Sequence, residues 1–149
     1  MNTLELDKKV TARGFLGTYA YDKLPEKPKN DQFSLIVNTS ASNTDGDHWV
    51  ALIRSKNVFY FLDSYGRALN DATLPKQFSV SIKKYVGRNH TIKHNSKWLQ
   101  QLTSNTCGEY CVYFIQEFEK VGFRRLLRVF TQKLKNNDNY VLKYVQKMI

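Results

Sequence analysis

The sequence predicts an α+β domain in which a small, mostly antiparallel central sheet is packed by helices. Three observations predict it. Two nearly continuous apolar runs, 48–54 and 58–63, are separated only by Ser55-Lys56-Asn57. A later stretch, 107–120, repeats apolar residues at helical spacing, and two more amphipathic stretches follow it. The 149 residues are 42% hydrophobic and 24% charged. That balance suits one domain, 1–149, with a core large enough to need no disulfide framework.

The elements are read in order. Pro25, Pro28 and the charged residues around them (22–31) mark a surface loop. Phe33-Ser34-Leu35-Ile36-Val37 reads as a buried strand. Residues 38–47 are rich in Ser, Thr, Asn, Asp and Gly and read as a loop. The runs 48–54 and 58–63 form a β-hairpin. Their near-continuous apolarity places the hairpin in a sheet covered on both faces. A helix is expected within 71–85, after or around Pro75. Residues 91–99 are ambiguous, with a further strand as one option. Over 107–120, Cys107, Cys111, Phe114, Ile115 and Phe118 recur at helical spacing, and Gly122 sits where a C-terminal cap belongs. Leu126, Leu127, Phe130 and Leu134 line a next helix, and Tyr140, Val141, Tyr144, Val145 and Met148 another, with 136–139 as the break between them.

Composition narrows the function. Lys and Arg number 23 against 13 Asp and Glu, a net charge of +10 and a pI near 9.6. The excess favours an anionic partner, with nucleic acid first; the plainer alternative is a soluble basic domain with no specific partner. No apolar run approaches the ~20 residues that cross a bilayer, and residues 1–10 lack the apolar stretch of a signal peptide. The expectation is a soluble intracellular protein with no membrane partner. Cys107 and Cys111, four apart, share one helix face side by side and read as reduced thiols. Gly-x-Ser-x-Gly, His-Glu-x-x-His and Gly-rich phosphate loops are missing from the sequence. Two Cys and three His without close Cys pairs predict no metal site.

One thiol stands out. Thr106-x-x-Glu109 before an apolar helix is a capping box, with Thr106 at the N-cap and Cys107 in the first turn. A thiol there faces unpaired N–H groups and the positive end of the helix dipole, which favour a thiolate. The same N–H groups can take a developing oxyanion. Gly108 would let a substrate backbone approach. Cys111, one turn deeper, reads as a small core residue.

A nucleophilic thiol needs a base and a group to orient it. His48, His90 and His94 all precede Cys107, which excludes a Cys-then-His order. His48 opens one hairpin strand and Asp63 ends the other, so antiparallel pairing brings them together. A carboxylate there fixes the His tautomer and stabilises imidazolium. Taken singly, a strand-edge His is often only solvated, and an Asp before Ser-Tyr-Gly is often only a turn former. His90 and His94 are rival bases without an obvious carboxylate nearby. Asp47 would point to the opposite strand face. Gln100 or Gln101, just upstream of the thiol, could donate a second hydrogen bond to an oxyanion.

His48-Trp49, Asp63-Ser-Tyr-Gly66, Gln100/Gln101 and Cys107-Gly108 together resemble the adenain group of cysteine peptidases, in a clan shared with ubiquitin-like-protein proteases. Phe15-Leu16-Gly17-Thr18-Tyr19, Ile36-Val37-Asn38-Thr39 and Cys107-Gly-x-x-Cys111 fit the adenain branch. The resemblance runs from about Gly14 to about Phe118. It implies an adenain-like fold, with Cys107 as nucleophile, His48 as general base and then acid, and Asp63 as its orienting group. That last position is often Glu in this family and usually Asp in the ubiquitin-like branch. It implies Gln100, by adenain spacing, as an oxyanion donor with the Cys107 N–H; the other branch favours Gln101. It implies Trp49 as an aromatic packed by His48.

The resemblance also implies a monomeric endopeptidase acting on viral or virus-like capsid and core precursors, cutting at small residues such as Gly, in a host nucleus or virion. DNA and an activating peptide are the implied cofactors. The disulfide tether of that peptide cannot form here, because no cysteine precedes Cys107. Arg124, Arg125, Arg128, Lys133, Lys135, Lys143 and Lys147 are candidate DNA contacts or merely a solvated helix surface. The alternatives are a protease of ubiquitin-like conjugates, an acetyltransferase of the same clan, and a basic DNA-binding module with an incidental thiol.

Overall fold

The computed structural model describes residues 1–43 and 48–148. Helix α1 (Thr3–Lys9) is followed by strand β1 (Phe15–Ala20), a single 3-10 turn (Tyr21–Lys23), β2 (Gln32–Asn38), β3 (Trp49–Ser55) and β4 (Val58–Leu62). Then come α2 (Lys76–Val86), β5 (Thr91–His94), α3 (Cys107–Leu127) and α4 (Leu134–Gln146). The five strands lie in the order β1-β2-β3-β4-β5.

The expected antiparallel character belongs to the inner three strands, β2 with β3 and β3 with β4. Both outer strands pair in parallel, β1 with β2 and β5 with β4. Parallel pairing requires a crossover. Residues 21–31 supply it on one side, and α2, buried through Phe78, Ile82 and Val86, on the other. The hairpin turn is tight: Ser55 pairs with Val58, and Lys56 takes φ 58.

Alternate residues of the inner strands enter two different cores. Leu35, Val37, Val50, Leu52, Phe59 and Phe61 face α2. Ile36, Ala51, Ile53 and Leu62 face α1, α3 and α4. With both faces covered, period-2 burial leaves little room for polar positions, which is why the runs look continuously apolar. Each fully buried large side chain contributes about 1.5–3 kcal/mol.

Gly122 does end the first part of α3, with φ 83 and ψ 174. The expected helix through 126–134 stops at Leu127, however, and the break falls before α4 rather than at 136–139. Asn137 and Asp138 lie inside α4 and are buried. The Asn137 amide donates to Leu99 O and Thr131 O, and its Oδ1 accepts from Thr131 N–H. These tertiary bonds override the weak helix preference of Asn and Asp. Elements α1, β1 and β5 carry weaker sequence signals. The cap of α1 is Asn2, whose side chain accepts from Glu5 N–H at 2.9 Å.

Candidate active site

The hairpin positions two of the groups. The β3–β4 register pairs Ala51 with Leu62. Continued past the strand ends, it sets Val50 beside Asp63 and His48 beside Tyr65. His48 Nε2 lies 2.7 Å from Asp63 Oδ1. The Tyr65 ring stacks on the imidazole at 4.8 Å and 15°. Backbone bonds fix both ends, since His48 O accepts from Thr39 N–H at 2.8 Å and Gly66 N–H donates to Asp63 O at 2.8 Å. Asp47 lies outside the described residues.

Asp63 is fully buried. Its Oδ2 accepts from Arg67 Nε at 2.7 Å, and its Oδ1 also accepts from Tyr65 N–H at 3.1 Å. The Asn95 side chain grips the backbone of Asp63 from both sides, accepting from its N–H and donating to its C=O. Burial alone would raise the Asp63 carboxyl, but hydrogen bonding and charge from His48 and Arg67 win and hold it below the usual range.

The third group arrives from α3. Cys107 opens that helix and is 9% exposed. Its thiol lies near enough to His48 to help raise the pKa of the imidazole. With Nε2 given to Asp63, Nδ1 is the nitrogen left for sulfur. Burial, the largest single influence, pushes the imidazole down. Hydrogen bonding and charge from Asp63, with the influence of Cys107, outweigh it and lift His48 from 6.5 to about 9. Cys111 is 1% exposed and burial drives its thiol well up, as a core residue requires.

The capping box does not form. Thr106 stands at the N-cap without a side-chain cap bond. Its hydroxyl instead bonds Asp138 Oδ1 at 3.2 Å. Glu109 is 9% exposed with Oε1 lacking a hydrogen-bond partner, and burial raises its pKa. The α3 ladder begins with Tyr110 N–H to Thr106 O at 3.1 Å. The N–H groups of 107–109 therefore precede the ladder at the positive end of the helix.

Gly108 serves packing rather than substrate approach. A Cβ there would lie 3.1 Å from both Leu6 Cδ2 and Trp49 Cε3. Trp49 accordingly covers the start of α3, while the ring stacked on His48 is that of Tyr65.

The two glutamines separate. Gln100 is 1% exposed. Its Oε1 accepts from Ser64 Oγ, next to Asp63, and its amide nitrogen donates to Ser104 O at 3.0 Å. Gln101 turns to Asp138 on α4, at 3.0 Å. Of the rival bases, His90 packs edge-on against Phe59 and His94 Nδ1 meets Asn95 O.

The basic residues are all exposed. Arg124 and Arg128 border a cavity of about 310 Å³ beside His94 and Lys97. Lys143 and Lys147 border another of about 520 Å³ with Lys120, Tyr140 and Tyr144. Arg125, Lys133 and Lys135 line neither.

Tyr65, Arg67, Asn95 and Asp138 were not legible as site residues. Tyr65 carried a signal, since the β3–β4 register, continued past the strand ends, sets it directly opposite His48. Asn95 and Asp138 act through tertiary contacts that no local spacing announces.

The fold is one seen in solved structures. An ASFV protease superposes with a TM-score of 0.61 at 14% identity, covering 99% of this chain and 66% of that one. ChlaDub1 from Chlamydia trachomatis gives 0.56 at 11%, covering 79% and 60%. The profile described as adenovirus endoprotease matches residues 15–145, and the chain belongs to that family. The protease of bovine adenovirus 2 is 30% identical over 114 residues, covering 70% of this chain and 54% of that protein. That of bovine adenovirus 4 is 28% identical over 117 residues, covering 72% and 57%. The chain spans little more than half the length of these relatives.

Proposed function

We propose that the chain is a cysteine endopeptidase in which Cys107, His48 and Asp63 act together. One observation carries the reading: a buried carboxylate lies 2.7 Å from an imidazole whose pKa is raised by the nearby Cys107, a thiol placed at a helix start. The Cys107 sulfur attacks the scissile carbonyl carbon while His48 holds the proton. The charge that develops on oxygen meets the Cys107 backbone N–H and the Gln100 amide. Collapse of the tetrahedral adduct breaks the C–N bond, and His48 gives its proton to the leaving amine. Water then attacks the thioester, His48 takes a proton from it, and the acid and the free thiol are released. Asp63 keeps the imidazole oriented throughout.

Family membership supports polypeptide precursors of a virus or virus-like element as substrates. The net charge of +10 supports stimulation by DNA. The test is incubation with Gly-Gly-containing peptides, with and without DNA, for the parent and Cys107→Ala. Cleavage that disappears in the variant is the expected result. Undiminished cleavage by Cys107→Ala overturns the assignment of the nucleophile, and DNA binding without turnover in either protein overturns the peptidase reading.

A further inference from the structure

We infer that Arg67 is a positioning residue of this site, locking the imidazole from two directions at once; the inference rests on the peptidase reading above. One direction runs through the carboxylate. Asp63 Oδ1 accepts from His48 Nε2 and Tyr65 N–H, which leaves Oδ2 to Arg67 Nε at 2.7 Å. The carboxylate is fully buried, whereas the Arg67 side chain is 18% exposed. A buried carboxylate held on one oxygen only could swing about its Cβ–Cγ bond, and the imidazole would swing with it. A charge-assisted bond from a planar guanidinium removes that freedom.

The other direction runs through an aromatic ring. The guanidinium carbon of Arg67 lies 5.3 Å from the Tyr65 ring centroid. Tyr65 in turn stacks on His48 at 4.8 Å. Guanidinium, phenol and imidazole thus contact in sequence, and Arg67 bears on His48 over the ring as well as through Asp63.

The backbone is shaped for this closure. Residues 63–66 form a turn closed by Gly66 N–H to Asp63 O. Gly66 takes φ 70, and a Cβ there would sit 2.5 Å from Lys97 O. Only glycine lets the chain double back far enough to return Arg67 over Tyr65 and onto Asp63. Asp63-Ser-Tyr-Gly-Arg67 works as a single clasp.

The test compares the parent with Arg67→Met and Arg67→Lys. Three readings are taken: kcat and KM on a cleavable peptide, the rate of Cys107 alkylation by iodoacetamide at pH 7, and the downfield proton resonance of the His48–Asp63 bond. In Arg67→Met, kcat is expected to fall roughly 10- to 100-fold with KM nearly unchanged. Alkylation slows, and the downfield resonance broadens or disappears. Arg67→Lys keeps the charge but not the planar fork, and falls between the two. A thermal melt run alongside shows whether Arg67→Met is folded; where it is not, Arg67→Lys alone decides. A folded Arg67→Met that keeps kcat within about twofold and retains the resonance overturns the inference. Alkylation and resonance do not depend on peptide turnover, so they judge Arg67 even if Cys107→Ala shows the peptidase reading to be wrong.

Discussion

Asp138, near the start of α4, takes the hydroxyl of Thr106, the residue that precedes Cys107, at 3.2 Å. The same carboxylate accepts from Tyr110 at 2.7 Å and from the Gln101 amide at 3.0 Å. One buried acid on the last helix therefore ties down the first turn of α3 and the loop that leads into it. The residue expected to cap α3 has been drawn away from that task by a tertiary partner.

Replacement of Asp138 by Ala is expected to remove the bonds to Thr106, Tyr110 and Gln101, although Tyr110 keeps Leu99 O and Thr106 keeps Ser104 Oγ. The loss of stability should be about 1–3 kcal/mol, the scale of disrupting a buried polar network whose members keep other partners. Urea titration measures it. Loss of activity should exceed the loss of folded protein at low urea, because the loop before Cys107 is released. An Asp138→Ala protein as stable as the parent contradicts the role given to this residue.

The glutamines should part company in kinetics. Gln100→Ala is expected to lower kcat by roughly 10²-fold with little change in KM, the scale of losing one oxyanion donor. Gln101→Ala removes a bond to Asp138 and is expected to lower stability by about 1 kcal/mol with kcat nearly intact. Steady-state kinetics and denaturation on both variants decide. Equal kcat losses would reverse the distinction.

The pH dependence follows from His48. Its folded value lies at about 9, above the ordinary 6.5. A raised value means a contribution to stability that is fully present below 6.5 and lost as pH rises through about 9. At about 1.4 kcal/mol per unit, the contribution is of the order of 3 kcal/mol. Asp63 is depressed, so its contribution is present above 3.8 and is lost as pH falls through its lowered value. Denaturation profiles of the parent and of His48→Gln should therefore converge above pH 9. Activity should show an alkaline limb at the same place, as the imidazolium loses its proton. A limb near the ordinary histidine value would contradict the assignment.

Two glycines with similar φ make a matched pair. Gly66→Ala forces a Cβ to within 2.5 Å of the Lys97 carbonyl oxygen. Gly122→Ala, at φ 83, meets nothing within 4 Å. The second change carries only the backbone penalty of the glycine-only region at φ 83 and ψ 174, about 1–3 kcal/mol. The first adds a backbone clash and should exceed it by about 2 kcal/mol or more while abolishing cleavage. Comparison of the two denaturation midpoints checks the difference.

How much could be read from the chain alone depends on how local each cause is. The His48–Asp63 pairing follows from a hairpin whose two arms are apolar and whose turn is short, so it was legible. The helix at Cys107 was legible from its apolar spacing. The failed capping box was not, because the partner of Thr106 lies 32 residues downstream. The misplaced break at 136–139 has the same origin, since Asn137 and Asp138 look like helix breakers until their distant partners are known. The parallel edges also escaped, since β5 is short and half-buried and offers little periodicity. Gly108 was read as room for a substrate backbone, whereas the groups that close on its Cβ position are Trp49 and Leu6.

The groups of the site come from two parts of the chain well separated in sequence, the hairpin at 48–63 and the start of α3 at 107. His48 and Asp63 sit 15 residues apart on one hairpin, a contact that closes early because little chain must be ordered to make it. Cys107 reaches them only after α2, β5 and the loop beyond have been laid down and α3 has seated against β3 through Gly108 and Trp49. A chain still emerging from the ribosome, or one whose last helix has come loose, carries an imidazole without its sulfur. Cutting power of the kind proposed above would thus require the second core to be complete, since Cys107 rides on α3 and the hairpin alone holds only His48 and Asp63.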